Sequence, residues 1–255
     1  MSRVIIWGAG ELGGRVVSKA CSAGHTVHAY TATNKRHHTL RELGAVVQSG
    51  DPTEWQADDT LLLCIAGTQS LRDAIERVRH RPPPRRVVLT SSTGYYNGLG
   101  GDIDATTSHG PTERAQTIAA CEGAFREWAG DAAIIIRLGG LYRQGRGPLN
   151  ALKMRGHVPY GAANTTLALI HYDDAASAVW TALNHPNPQP AYLAASDPCP
   201  LRQEFYLAAC VVLDIALPNF GPPSSNAPAR YDVSALRKDL LPEPAHPKWQ
   251  AALVP

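Results

Sequence analysis

The stretch Val4-Ile5-Ile6-Trp7-Gly8-Ala9-Gly10-Glu11-Leu12-Gly13-Gly14 decides how the chain folds. Val4 to Ile6 is an unbroken apolar run, as a strand covered on both faces requires. Leu12, Val16, Val17 and Ala20 then recur at helical spacing, and Gly24 closes that helix. Between strand and helix stand Gly8, Gly10 and Gly13. The first permits a tight turn, the second lets the backbone approach a ligand, and the third lets the helix pack close to the strand. A helix that opens this way offers free N–H groups and the positive end of its dipole to an anion.

Working outward, strand and helix signals alternate. Thr26–Tyr30, Ala45–Val47, Leu61–Ile65, Arg86–Thr90 and Ala132–Arg137 read as strands. Helices are predicted over Gln69–Arg79, Pro111–Trp128 and Asp173–Leu183, the second with Pro111 as its first helical residue and the third capped by Asp173 or Asp174. This rhythm predicts an α/β fold: a Rossmann doubly wound parallel sheet with helices on both faces. The stretch 139–164 is rich in Gly, Arg and Tyr, and beyond Leu217 the chain is dense in proline. These segments predict a small interleaved C-terminal substrate lobe. The expected division is 1–185 for the nucleotide-binding domain, with 139–165 contributing to the lobe, and 186–255 for the lobe itself.

In that context G-x-G-x-x-G predicts a dinucleotide at the glycine turn, with Gly8, Gly10, Glu11, Leu12 and Gly13 around its diphosphate. Glu11 either caps the helix start or lies beside the cofactor. About 20 residues beyond the first glycine, NAD-binding chains place an acid on the ribose 2′-hydroxyl. Here the stretch reads Tyr30-Thr31-Ala32-Thr33-Asn34-Lys35-Arg36. Hydroxyls at Thr31 and Thr33 and cations at Lys35 and Arg36 suit a 2′-phosphate, so NADP(H) is preferred over NAD(H). The alternative for Lys35 and Arg36 is a solvated helix start. Asp51 either reaches the adenine or caps a helix before Thr53-Glu54.

Composition removes several other classes. The chain has 255 residues, 44% hydrophobic and 18% charged, enough apolar material for a buried core. A formal net charge of +2 gives no reason to expect nucleic acid as a partner. No run of about 18 apolar residues predicts a membrane span, and Met1 to Gly8 is too short an apolar start for a signal peptide. Cys21, Cys64, Cys121, Cys199 and Cys210 are odd in number and scattered, which fits reduced thiols in a cytoplasmic protein. His37-His38 lacks a third ligand at metal spacing, so no metal is expected. The absence of G-x-S-x-G removes a hydrolase elbow.

Further pieces lie in order along the chain: Cys64-Ile65-Ala66-Gly67, Leu89-Thr90-Ser91-Ser92-Thr93-Gly94-Tyr95-Tyr96, Ile136-Arg137-Leu138-Gly139-Gly140-Leu141-Tyr142 and Leu169-Ile170-His171-Tyr172-Asp173-Asp174. With the glycine turn they resemble the extended short-chain dehydrogenase/reductases, in particular the NAD-dependent epimerase/dehydratase branch. The resemblance implies that Ala66 and Gly67 meet the cofactor. It implies that Ser92, or Thr93 beside it, hydrogen-bonds the reacting oxygen, and it allows a homodimer. It also implies a tyrosine and a lysine four apart on the following helix, which puts them on one face. That pair is absent. Counting back from Glu122, Arg114 and Ile118 hold the expected places.

Two functions follow. The chain is an NADP(H)-dependent oxidoreductase or epimerase-like enzyme on a small polar substrate, with a displaced acid. Tyr96 is the best substitute, its free pKa of about 10 lowered by Arg114, and Tyr142 or His171 could also serve. Otherwise the chain has kept the platform and lost the chemistry, and binds NADP(H) as a sensor or regulatory protein. Arg143 and Arg146 lie in a glycine-rich loop at the substrate end, where guanidinium forks suit carboxylate or phosphate.

Overall fold

Val4 to Ile6 forms the middle of β1 (Arg3–Trp7), and all three side chains are buried. The computed structural model describes residues 3–254; Met1, Ser2 and Pro255, at the outer ends of the two expected units, lie outside them. After the glycine turn come α1 (Glu11–Ser22), β2 (Thr26–Thr31), α2 (His37–Glu42), β3 (Val46–Ser49) and β4 (Thr60–Leu63). The chain continues through α3 (Thr68–Val78), β5 (Arg86–Ser92), β6 (Gly101–Ile103), α4 (Glu113–Ala129) and β7 (Ala133–Leu138). The rest comprises β8 (Gly140–Tyr142), α5 (Pro148–Arg155), β9 (Leu169–His171), α6 (Tyr172–Asn184) and β10 (Ala191–Ala194). It ends with α7 (Arg202–Leu213), β11 (Ala229–Tyr231) and α8 (Ser234–Asp239).

Seven strands form one parallel sheet in the order β10-β7-β5-β4-β1-β2-β3. Successive side chains of a strand face opposite ways. Val4 and Ile6 therefore pack with Val16, Val17 and Val179 from α1 and α6, whereas Ile5 and Trp7 join Ile75 and Phe125 from α3 and α4. The strand order reverses between β1 and β4, which opens a crevice at their carboxyl ends. A third apolar cluster, with Tyr142, Leu149, Leu152, Leu169, Phe205 and Tyr206, forms a small lobe beside the sheet. Two further short parallel pairs join β8 to β9 and β6 to β11.

Three details differ from the sequence expectations. The seventh strand, β10, comes from beyond residue 185, so the sheet and the lobe interleave more deeply than the expected boundary. Helix α6 is capped by His171, whose Nδ1 accepts the Asp173 N–H at 3.1 Å, and not by Asp173 or Asp174. Asp174 instead accepts the N–H groups of Ala245 and His246 at 2.7 and 3.0 Å, tying the proline-rich tail to the helix. Helix α4 is capped by Thr112, which accepts the Ala115 N–H, and Pro111 sits before the cap. All five cysteines are free. Among the described residues, no helix is long and apolar enough to cross a membrane.

Candidate active site

The glycine turn is fixed by close backbone approach. Gly8 has φ +96°, and a Cβ there would run into the carbonyl of Cys64 on the neighbouring strand end. A Cβ on Gly13 would run into the carbonyl of Gly8. The turn is held by Tyr30, whose carbonyl accepts the N–H groups of Gly8 and Ala9 at 3.0 and 2.9 Å. Helix α1 has no side-chain cap, so the amides of Glu11 and Leu12 at its opening remain for a ligand.

Two adjoining hollows of about 430 and 490 Å³ share Gly8, Gly10, Cys64, Ile65 and Ala66, and together they make one groove across the switch point. Its first end is lined by Tyr30, Thr31, Thr33, Arg36, Asp51 and Arg77. Its second end is lined by Leu12, Gly67, Ser91, Ser92, Arg114 and Ile118, among others. Burial pushes the Cys64 thiol up to about 11, so at neutral pH the groove wall carries a thiol and not a thiolate.

At the first end, Thr31 donates its hydroxyl to the Thr33 carbonyl at 2.8 Å, with His37 Nε2 also 2.8 Å away. Asp51 pairs with Arg77, Nε to Oδ2 2.5 Å; no helix starts at Thr53, so Asp51 is not a cap. Arg36 reaches Glu11 at 3.4 Å from a half-buried position on the groove. Lys35 lies in the same short turn and does not line the groove. Glu11 is ringed by cations: Arg143 Nε at 3.1 Å, and Arg15 and Arg36 each at 3.4 Å. Burial alone would raise its pKa; the three guanidinium groups reverse that and hold it below the usual carboxylate range.

At the second end, Ser92 Oγ accepts the Gly94 N–H at 3.1 Å, which leaves its own hydrogen free to donate. Arg114 and Ile118 both face the groove. Tyr96 does not reach it. Its ring is buried and its hydroxyl is committed, donating to the Asp104 carbonyl at 2.8 Å and accepting from Arg137 Nη1 at 2.6 Å. Burial raises its pKa, and Arg137 offsets that only in part. Adjacency to Ser92 suggested an acid at the cleft, but the turn over Thr93–Tyr96 swings the ring into the core. Tyr96→Phe is therefore expected to cost about 1 kcal/mol of stability and to leave NADPH affinity intact, read by urea denaturation and fluorescence titration.

Tyr142 and His171 also lie off the groove lining. Tyr142 is buried, its pKa pushed up to about 12 by burial, and its ring meets His171 edge-on at 5.2 Å. His171 lies against His246 with centroids 3.6 Å apart and the rings tilted by 34°. His171, Asp173 and His246 converge, yet the His171 Nδ1 lone pair serves the helix cap and Arg15 holds the Asp173 carboxylate. This geometry is a cap and a ring contact.

Sequence reasoning missed the polar network under the second end. Arg137 and Glu122, each about 1% exposed, pair through Nη2–Oε2 at 2.7 Å and Nε–Oε1 at 3.0 Å. Ser91 donates to Glu122 Oε1 at 2.6 Å, and the Arg137 guanidinium lies 3.5 Å over the Tyr95 ring. A signal was present: Arg137 interrupts the apolar run Ile134-Ile135-Ile136, and Glu122 falls within the buried face of α4.

Fold and groove together define a doubly wound Rossmann protein with an open crevice at its switch point. No family model matches the chain, and no curated protein matches it in sequence. Solved structures do match. A functionally unknown conserved protein from Silicibacter pomeroyi DSS is 18% identical, covering 100% of this chain and 97% of its own, with TM-score 0.78. The human epimerase family protein SDR39U1, solved with NADPH, is 16% identical over 99% and 98%, with TM-score 0.75. A dTDP-glucose 4,6-dehydratase from Bacillus anthracis, solved with NAD, is 13% identical over 100% and 94%, with TM-score 0.74. The chain thus shares its fold with these proteins over nearly its whole length.

Proposed function

We propose that the chain is an NADP(H)-dependent oxidoreductase or epimerase-like enzyme acting on a small polar substrate. The observation that carries this reading is the unbroken groove, which runs from Arg36 and Asp51, over the uncapped start of α1, to Ser92 and Arg114. The residues fit the cofactor. Gly8 and Gly10 leave the turn bare, the Glu11 and Leu12 amides face a diphosphate, and Thr33 and Arg36 stand where a 2′-phosphate would lie. Asp51 lies at the adenine end, and Ala66 and Gly67 line the path between.

Bound in this groove, the nicotinamide would supply or accept a hydride. The chain's own part is positional and electrostatic. Ser92 donates its free hydrogen to a substrate oxygen, which favours charge developing there. Arg114 contributes positive charge and N–H donors at the same end of the groove. SDR39U1 and the dehydratase, with their bound cofactors, support the cofactor class. Two observations favour the sensor reading: Ile118 stands where the family's ribose-holding lysine would be, and Tyr96 is turned away.

Fluorescence titration with NADPH and NADH, followed by assays of NADPH oxidation coupled to reduction of carbonyl compounds, tests both readings. Enzyme function requires binding and turnover; tight binding without turnover on any substrate would shift the reading to the sensor. Loss of both titrations would overturn each. Arg36→Gln is expected to weaken NADPH by about tenfold and to leave NADH unchanged, because one charge-assisted contact to the 2′-phosphate goes. Equal loss for both nucleotides would remove Arg36 from that role.

A further inference from the structure

The charges lining the second end of the groove do not cancel. Two acids and two arginines face it: Glu11, Glu122, Arg114 and Arg146. Glu122 is consumed by Arg137 and Ser91, and Glu11 by Arg15, Arg36 and Arg143. The Arg146 guanidinium lies over the face of Tyr172, 5.6 Å from its centroid, and makes no ion pair among the described residues. Arg114 makes no hydrogen bond or ion pair among the described residues. The groove therefore presents uncompensated positive charge where the reacting part of a substrate would sit, at the opposite end from Thr33 and Arg36.

Gly94 sets the local geometry. A Cβ there would lie 3.0 Å from Arg114 Nε, 3.0 Å from Ile118 Cδ1 and 3.3 Å from Ser92 Oγ. The guanidinium, the hydroxyl and one methyl thus close in on the Gly94 backbone and lie side by side along the groove wall, because glycine carries no side chain to hold them apart. A guanidinium fork matches the two oxygens of a carboxylate. A hydroxyl with a free hydrogen matches a neighbouring carbonyl. A phosphate ester presents three strong acceptor oxygens and would draw on Arg146 as well, whose guanidinium lies over the Tyr172 ring.

We infer that Arg114 and Ser92 form a subsite for a carboxylate borne next to the reacting carbon, and that the substrates are 2-oxo or 2-hydroxy acids. This rests on the cofactor reading of the groove. Arg114 fixes the carboxylate, Ser92 takes the adjacent oxygen, and Ile118 walls the pair with apolar surface. An arginine at the place of the family's tyrosine thereby becomes a substrate-selecting group.

The test is calorimetric and does not depend on turnover. The chain is first titrated with NADPH, and the saturated complex is then titrated with oxamate, uncharged oxamide and inorganic phosphate. Oxamate is expected to bind and the other two are not. On the NADPH-saturated complex, Arg114→Gln is expected to weaken oxamate by about tenfold or more and Arg114→Lys by less. Oxamate that fails to bind the NADPH complex, binds Arg114→Gln equally well, or is matched by oxamide or phosphate overturns the subsite alone. Failure of the first titration overturns the cofactor reading itself.

Discussion

Gly8→Ala is expected to destabilise the fold by about 3 kcal/mol or more and to abolish NADPH binding. Two penalties act together. The φ of +96° is one that L side chains rarely adopt, and the new methyl would press on the Cys64 carbonyl. That carbonyl cannot retreat, because Cys64 follows β4 directly and donates its own N–H to Trp7 at 2.8 Å. Gly10→Ala is the control. Its Cβ would meet nothing nearer than the Gly8 carbonyl at 4.0 Å, so the fold should stand while the bare approach to the diphosphate is lost. Urea denaturation and NADPH titration of both variants separate the effects. Equal stability of Gly8→Ala and the parent would show that the turn is not held as described.

Glu122→Leu is expected to cost about 3–5 kcal/mol, because it strands a buried guanidinium. Arg137 would keep the Tyr96 hydroxyl and the Ala105 carbonyl at 2.6 and 2.9 Å, but both are neutral partners. The double variant Glu122→Leu with Arg137→Met should recover much of the loss, since removing both charges also removes the need to desolvate them. Denaturation midpoints of the single and double variants decide. A single variant within about 1 kcal/mol of the parent would mean that water reaches this pair and that its burial is not felt.

The fold was legible where the chain writes in long runs. Val4–Ile6, Leu61–Leu63 and Ile134–Ile136 are apolar without interruption because both faces of a parallel sheet are covered. Elements β6, β8 and β11 were not legible, because three residues carry no period. Strand β10, Ala191-Tyr192-Leu193-Ala194, is too short and too rich in alanine to announce itself. Of the site, the glycine turn was legible from context, and counting along α4 from Glu122 placed Arg114 and Ile118, both of which line the groove. Tyr96 could not be placed this way. Which way a ring turns after a strand end depends on partners far off in sequence, here Arg137 and Asp104, and no local pattern encodes them. The His171 cap was hidden for a different reason: an imidazole is an uncommon cap beside two aspartates.

The late arrival of β10 matters for any attempt to divide the chain. It pairs with β7 from Ala191 to Ala194 and covers that strand's outer edge. A fragment stopped at residue 185 would uncover Ala133-Ile134-Ile135-Ile136-Arg137-Leu138, a β-branched ribbon with open amides and carbonyls. Such a ribbon is a template for other chains, so the severed half would tend towards self-association and insoluble assemblies instead of an independent nucleotide-binding unit.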